Sequence, residues 1–397
     1  MKKERLWTKE FVLTSSVNFV LILSMFAMLV TLAPYTIAVY NASMSVAGLV
    51  SSIFIVGVLI GRIIAGWQAN NFGSKKLLIF GITGFIFFTI FYFLQLNIYL
   101  LILLRLLQGV VFGFGTNATG TIVSQIIPST RRGEGIGFFS LGVVLSSALG
   151  PLIGTALIDY FNYNAIFIFS LIVGIIALIL SFFIISPQVK VEEHSASRTL
   201  KLSNFVEFRV IPISIIIFVA AIGYSSILSF ITTYADEINL SEIGGYFFLA
   251  YSLIIIATRP ISGRLMDLKG ENVIVYPSLV FFALGMLVLS QTTNNFTFIL
   301  AALFIGLGYG NLQSIAQAIA INLTPIERMG LANSTYYIFL DVALGLGPFL
   351  LGFIIPIIGF RYLYLSFVGL ILFNAVLYYL LYARRRKYVG QSQSKAQ

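Results

Sequence analysis

Residues 66–76 read GWQANNFGSKK, and residues 263–273 read GRLMDLKGENV. Each joins two long apolar runs, and each sets a glycine, a short polar stretch and a second glycine at the same spacing. The second copy carries Asp267 where the first carries Asn70. Two like loops in one chain point to a repeated structure, and the runs around them give its class.

Those runs are about twenty residues long, enough to cross a bilayer as helices. Helices are the economical form because lipid offers unpaired backbone groups no partner. A 59% hydrophobic and 10% charged composition does not fit a soluble globular domain. Twelve spans can be drawn, at roughly 11–33, 45–67, 76–95, 98–121, 134–158, 164–186, 209–233, 243–265, 273–291, 296–320, 331–355 and 360–383. The first span has full length and no convincing cleavage site follows it, so no cleavable signal is expected. Cysteine is absent, which excludes disulfides and thiol chemistry, and the lone His194 in a polar linker is read as a solvated residue. No metal site and no cofactor are expected.

The net charge of +10 is a matter of placement. Apart from Arg361 and Arg105, every Lys and Arg falls in or beside the tails, the middle linker or the loops after even-numbered spans. By the positive-inside rule these are cytoplasmic, which puts both termini inside. The opposite loops carry Asp159, Asp236, Glu237 and Glu242. The basic excess therefore needs no nucleic-acid partner. The Arg384–Lys387 cluster could touch anionic lipid, though ending the last span explains it.

The polar linker 187–208 separates a six-span half, 1–186, from a second, 209–397. An offset of 197 residues superposes their landmarks without a gap. Arg62 falls on Arg259, Gly66 on Gly263, Gly73 on Gly270, Gly109 on Gly306, Gly113 on Gly310, and Gly150-Pro151 on Gly347-Pro348. Matches at Gly, Pro and Arg mean more than Leu on Leu. Two parallel six-helix repeats about a midplane site are a transporter architecture.

With these residues assembled, the chain resembles the major facilitator superfamily over essentially its whole length. The first loop is similar to the family's G-x-L-x-D-R-x-G-R-K signature at Gly66, Asn70, Gly73, Lys75 and Lys76. Leu104–Gly109 is similar to its R-x-x-Q-G motif, and Gly150-Pro151 with Gly154 to the G-P-x-x-G motif of proton-coupled exporters. The likeness is closest to the twelve-span drug/proton antiporter branch. It implies an all-α membrane protein with two pseudo-symmetric bundles and a substrate cavity lined by spans 1, 4, 7 and 10. The sequence departs from that branch in span 1, which has no acid.

Of fourteen acids only Asp341 lies deep in a span, ten residues past Leu331 and so about 15 Å into the membrane at helical rise. A low-dielectric setting disfavours the charged form of a carboxyl group, which suits a proton carrier. The competing reading is a permanently satisfied structural acid. Arg105 is the one comparably deep base. The resemblance implies a role in proton coupling or in holding a buried acid; binding an anionic substrate is disfavoured, because no second deep arginine completes a clamp.

Cavity candidates are the polar and sulfur side chains of four spans: Asn18, Met25 and Met28 in span 1, Gln108 and Asn117 in span 4, Tyr224 and Ser225 in span 7, and Tyr309, Asn311, Gln313 and Gln317 in span 10. Amides and phenols among Phe, Met and Leu suit a neutral or amphipathic molecule. Gly150, Pro151, Gly347 and Pro348 are assigned to conformational cycling, where close helix approach sets how a gate seals. Gly113-Phe114-Gly115 and Gly308-Tyr309-Gly310 are read as helix packing and not as nucleotide loops. By pseudo-symmetry each loop should meet the start of the other half's fifth span. Asp267 should then sit at the start of span 5 beside Arg131 and Arg132, and Asn70 near Glu327 and Arg328, giving a gate charged mainly in one half.

The expected function is a proton-driven secondary exporter of a small lipophilic or amphipathic compound in the cell membrane, acting as a monomer with proton, substrate and bilayer as its partners. A proton-coupled importer of a sugar or other nutrient is the alternative. A non-transporting sensor or scaffold is remote, because such proteins usually carry an added soluble domain or long tail. An enzyme is not expected, because the spans assemble no nucleophile–base pair.

Overall fold

The computed structural model describes residues 5–42, 44–94, 97–187, 205–240 and 243–384; His194, the side chains of Asn70 and Asp159, and the basic cluster beyond Arg384 lie outside them. All regular structure among the described residues is helical. The helices are α1 Lys9–Tyr40, α2 Met44–Phe72, α3 Ser74–Ile90, α4 Ile98–Ile126, α5 Arg132–Tyr160 and α6 Tyr163–Phe182. The second half has α7 Ile211–Glu237, α8 Gly244–Lys269, α9 Asn272–Ser290 and α10 Asn295–Asn322. Helix continues over Met329–Tyr378, but Gly359 has φ 75° and ψ 164° and breaks it into α11 (329–358) and α12 (360–378). Among the described residues, eleven helical stretches are long and apolar enough to cross a membrane, the last of them running through this break. The protein is an all-α, multi-pass membrane protein.

Local chemistry sets the ends. Asn97, Asn162 and Asn294 each accept a backbone N–H three residues ahead, at 3.0, 3.2 and 3.0 Å, and so cap α4, α6 and α10. Gly73 and Gly270 adopt φ of 77° and 84° at matching loop positions, a region a side chain would strain. Lys75 Nζ donates to the Phe182 carbonyl at 2.9 Å, closing the C-terminal end of α6 with a cation.

The chain packs into two compact units. The first comprises 1–129, 139–207 and 324–338; the second comprises 130–138, 208–323 and 339–397. The start of α5 (130–138) thus falls in the unit of the second-half helices, and the start of α11 (up to 338) in that of the first-half helices.

The 197-residue register extends to the contacts. In the first unit a Cβ at Gly109 would strike the Phe54 carbonyl; in the second, a Cβ at Gly306 would lie 2.9 Å from the Tyr251 carbonyl, with each residue offset by 197. Gly113 faces Val58 as Gly310 faces Ile255. Small residues let α2 approach α4, and α8 approach α10, backbone to backbone. One difference breaks the symmetry: Gly306–Gly310 forms a π-helical turn, whereas 109–113 is regular α-helix.

Candidate functional site

Arg105 has no exposed surface. Its Nη1 donates to Gln108 Oε1 at 2.9 Å, one helical turn ahead, and its guanidinium lies 4.2 Å from the centre of the Phe54 ring. Gln108 is itself fixed: the Tyr92 hydroxyl donates to its Oε1 at 2.7 Å, and its Nε2 donates to Thr89 Oγ1 at 2.9 Å. Among the described residues, Arg105 Nε and Nη2 have no hydrogen-bond partner. A cation held rigidly on one edge and open on the other is an acceptor-seeking group, because unmade hydrogen bonds of a buried ion are costly. Gln108 is therefore the support of Arg105. The sequence reading did not find Tyr92, Thr89 or Phe54; an aromatic-rich chain gives no signal for one partner sixteen residues away.

In the second unit three tyrosines stack. Tyr224 lies between Tyr309, with ring centroids 4.1 Å apart, and Tyr251, at 5.4 Å. Phe282 leans on Tyr309 at 5.5 Å. The Tyr309 hydroxyl is buried without a partner among the described residues. Asp341 is half-buried on α11. Arg259 is buried and donates to the Gly310 carbonyl at 2.6 Å and to Ser314 Oγ at 3.1 Å. Asn311 is committed to structure: it donates to Thr258 and Leu307 and accepts from Ser262.

The remaining cavity candidates divide by surroundings. Asn18 accepts from Thr119 at 2.8 Å, and the Ser225 hydroxyl turns back to the Ile222 carbonyl at 2.7 Å. Met28 lies in an apolar cluster with Tyr35 and Phe167, and Met25 packs at the edge of another. Asn117 is buried with Oδ1 unpartnered among the described residues. Gln317 is buried and Gln313 half-buried on α10.

The two loops show their chemistry at the starts of α5 and α11. Asp267 Oδ1 accepts from Gly133 N at 2.7 Å and Oδ2 from Glu134 N at 2.9 Å, so one carboxylate takes two free N–H groups at a helix N-terminus. Gly263 permits this, because a Cβ there would strike the Gly133 carbonyl. Arg131 pairs with Glu134 at 2.7 Å, and Arg132 donates to Asn322 at 3.1 Å. In the first unit, Ser334 Oγ donates to the Arg62 carbonyl at 2.6 Å, the Arg62 guanidinium lies 4.4 Å from the centre of the Tyr337 ring, and Gly66 leaves room for Ser334. Arg328 pairs with Glu207 at 2.6 Å. Glu207 was hidden in the sequence inside a linker that reads as a polar spacer. On α5, a Cβ at Gly150 would come within 2.6 Å of Phe26, and one at Gly154 within 2.7 Å of the Ala27 carbonyl; Pro151 continues the helix between them. On α11, Gly347 abuts Ser225, next to Pro348.

The family model described as Major Facilitator Superfamily matches residues 14–310 and 273–397. An uncharacterised MFS-type transporter of Methanocaldococcus jannaschii is 25% identical over 327 residues, covering 80% of this chain and 84% of the relative. The multidrug resistance protein MdtG of Salmonella arizonae is 26% identical over 348 residues, 86% of each chain. The solved structure of the human organic anion transporter MFSD10 is similar with a TM-score of 0.77 at 14% identity, covering 93% of this chain and 98% of that one. At that identity the likeness speaks for the fold alone.

Proposed function

The chain belongs to the Major Facilitator Superfamily of transporters, and from that premise we propose that it exports a small lipophilic or amphipathic compound across the cell membrane, driven by proton influx. The likeness to a multidrug resistance protein over 86% of both chains supports the export reading. Cycling between the two access states follows from two pseudo-symmetric halves. Both termini are assigned to the cytoplasm from the basic loops, and the working unit is a monomer.

The observation that carries the coupling is Asp341, a carboxylate half-buried on a membrane-spanning helix. Asp341 takes and releases the proton. Arg105, with two donors open, stabilises a negative group that comes into reach during the cycle. The Tyr224–Tyr309–Tyr251 stack supplies an aromatic surface that suits flat apolar molecules. A second reading, import of a polar nutrient, is favoured by one observation: the unpartnered Asn117 Oδ1 in the interior of α4.

Everted vesicles with an imposed proton gradient test the coupling, with the neutral dye Nile red as the probe. The parent protein is expected to accumulate dye uphill, and Asp341→Asn to lose uphill accumulation while retaining downhill exchange. Accumulation by Asp341→Asn equal to that of the parent overturns the proton-carrier role. If the parent moves a polar sugar analogue and not the dye, the import reading replaces export.

A further inference from the structure

The two hallmark loops are not equally supplied with acids. In the second unit, the start of α5 is held by Asp267 across the contact and by Glu134 on its own helix, where Glu134 also neutralises Arg131. Moved by 197 residues, Asp267 becomes Asn70, Glu134 becomes Leu331 and Arg131 becomes Arg328. The start of α11 therefore keeps the cation and loses both carboxylates. A third acid pairs with that cation instead. Glu207, only 5% exposed in its side chain, pairs with Arg328 at 2.6 Å.

Two more contacts seat the same short segment. Glu207 N donates to Thr335 Oγ1, one turn into α11, at 2.9 Å. The Phe205 ring packs on Trp67 near the end of α2, with centroids 5.5 Å apart. Phe205 and Glu207 thus join the end of α2 to the start of α11, at the place where Ser334 also meets the Arg62 carbonyl. A flexible spacer needs no buried carboxylate, because burying an ion is costly unless it is paired and hydrogen-bonded.

We propose that Glu207 is a gating residue: the linker's end is a clasp that gives Arg328 the carboxylate partner Glu134 gives Arg131, and its release belongs to the transport cycle. The gating part rests on the transport reading above; the clasp does not. The described end of the linker, 205–207, is then a working component of the gate.

Hydrogen exchange on the purified full-length chain tests the clasp without any substrate. Glu207→Gln is expected to quicken exchange of the amides in 326–337 about tenfold, with 132–140 unchanged. Arg328→Gln should quicken it further, because it strands a buried carboxylate, and the double variant should be milder than Arg328→Gln alone. Glu207→Asp, which keeps the charge, should exchange close to the parent. Parent-like exchange in both single variants, or equal quickening of 132–140, overturns the clasp. In vesicles loaded with Nile red, Glu207→Gln should change the maximal rate and leave KM in place, with Glu207→Asp restoring the rate. Quickened exchange with an unchanged maximal rate overturns the gating role. Failure of export itself shows instead as a parent protein that moves no dye.

Discussion

Asp267 accepts two backbone N–H groups with its two oxygens, at 2.7 and 2.9 Å. An asparagine there keeps one acceptor oxygen and turns an NH2 toward the second donor, so a bond is lost as well as the charge. Asp267→Asn is expected to cost about 1–3 kcal/mol at this contact, read as faster amide exchange at Gly133 and Glu134 and slower transport. Asn70→Ala has no charge to remove and is expected to slow transport less; equal defects would show that the two loops carry equal weight. For Arg105, a lysine keeps the charge but has no planar fork, and so cannot both lie on Phe54 and reach Gln108. Arg105→Lys should therefore lose most uphill transport in vesicles while the protein remains folded by thermal melting.

Among the elements, helix pairs in close backbone contact are the sensitive ones. A Cβ at Gly109 would strike the Phe54 carbonyl, whereas one at Gly48 meets nothing within 4 Å. Gly109→Val should lower the melting temperature strongly, by overpacking worth about 1–3 kcal/mol or more, and Gly48→Val should hardly alter it. This level was largely legible in the sequence. Glycines that admit a backbone cannot drift to other residues without breaking a contact, so the 197-residue register survived in the letters. The π-helical turn at Gly306–Gly310 was not legible, because one widened turn leaves the apolar pattern intact. Of the tyrosine stack, Tyr224 and Tyr309 were named as cavity candidates but their stacking and Tyr251 were hidden, because with 20 Tyr and 37 Phe the letters do not show which rings meet. Asp341 and Arg105 could be singled out in the letters because so few charges lie inside spans; in the structure Arg105 is buried and Asp341 half-buried. Their neighbours could not be, because Tyr92 and Phe54 approach Arg105 from other helices. Glu207 was missed because a linker is judged by its composition, and a seated linker end has the same composition as a loose one.

At the scale of the whole molecule, the absence of cysteine makes topology directly measurable. Single cysteines at Lys76 and Lys269 should react with a membrane-impermeant maleimide only from the cytoplasmic side, and one at the exposed Phe161 only from the opposite side. Labelling of all three from one face would contradict the assigned orientation. Gly359 stands outside the duplicated register, since 197 residues earlier the chain has Asn162. No loop separates α11 from α12; one residue in the left-handed region joins them. A longer connection would spread the change of direction over several residues; here one residue makes it. A side chain at 359 would strain that junction, so one glycine fixes how the eleventh helix gives way to the twelfth.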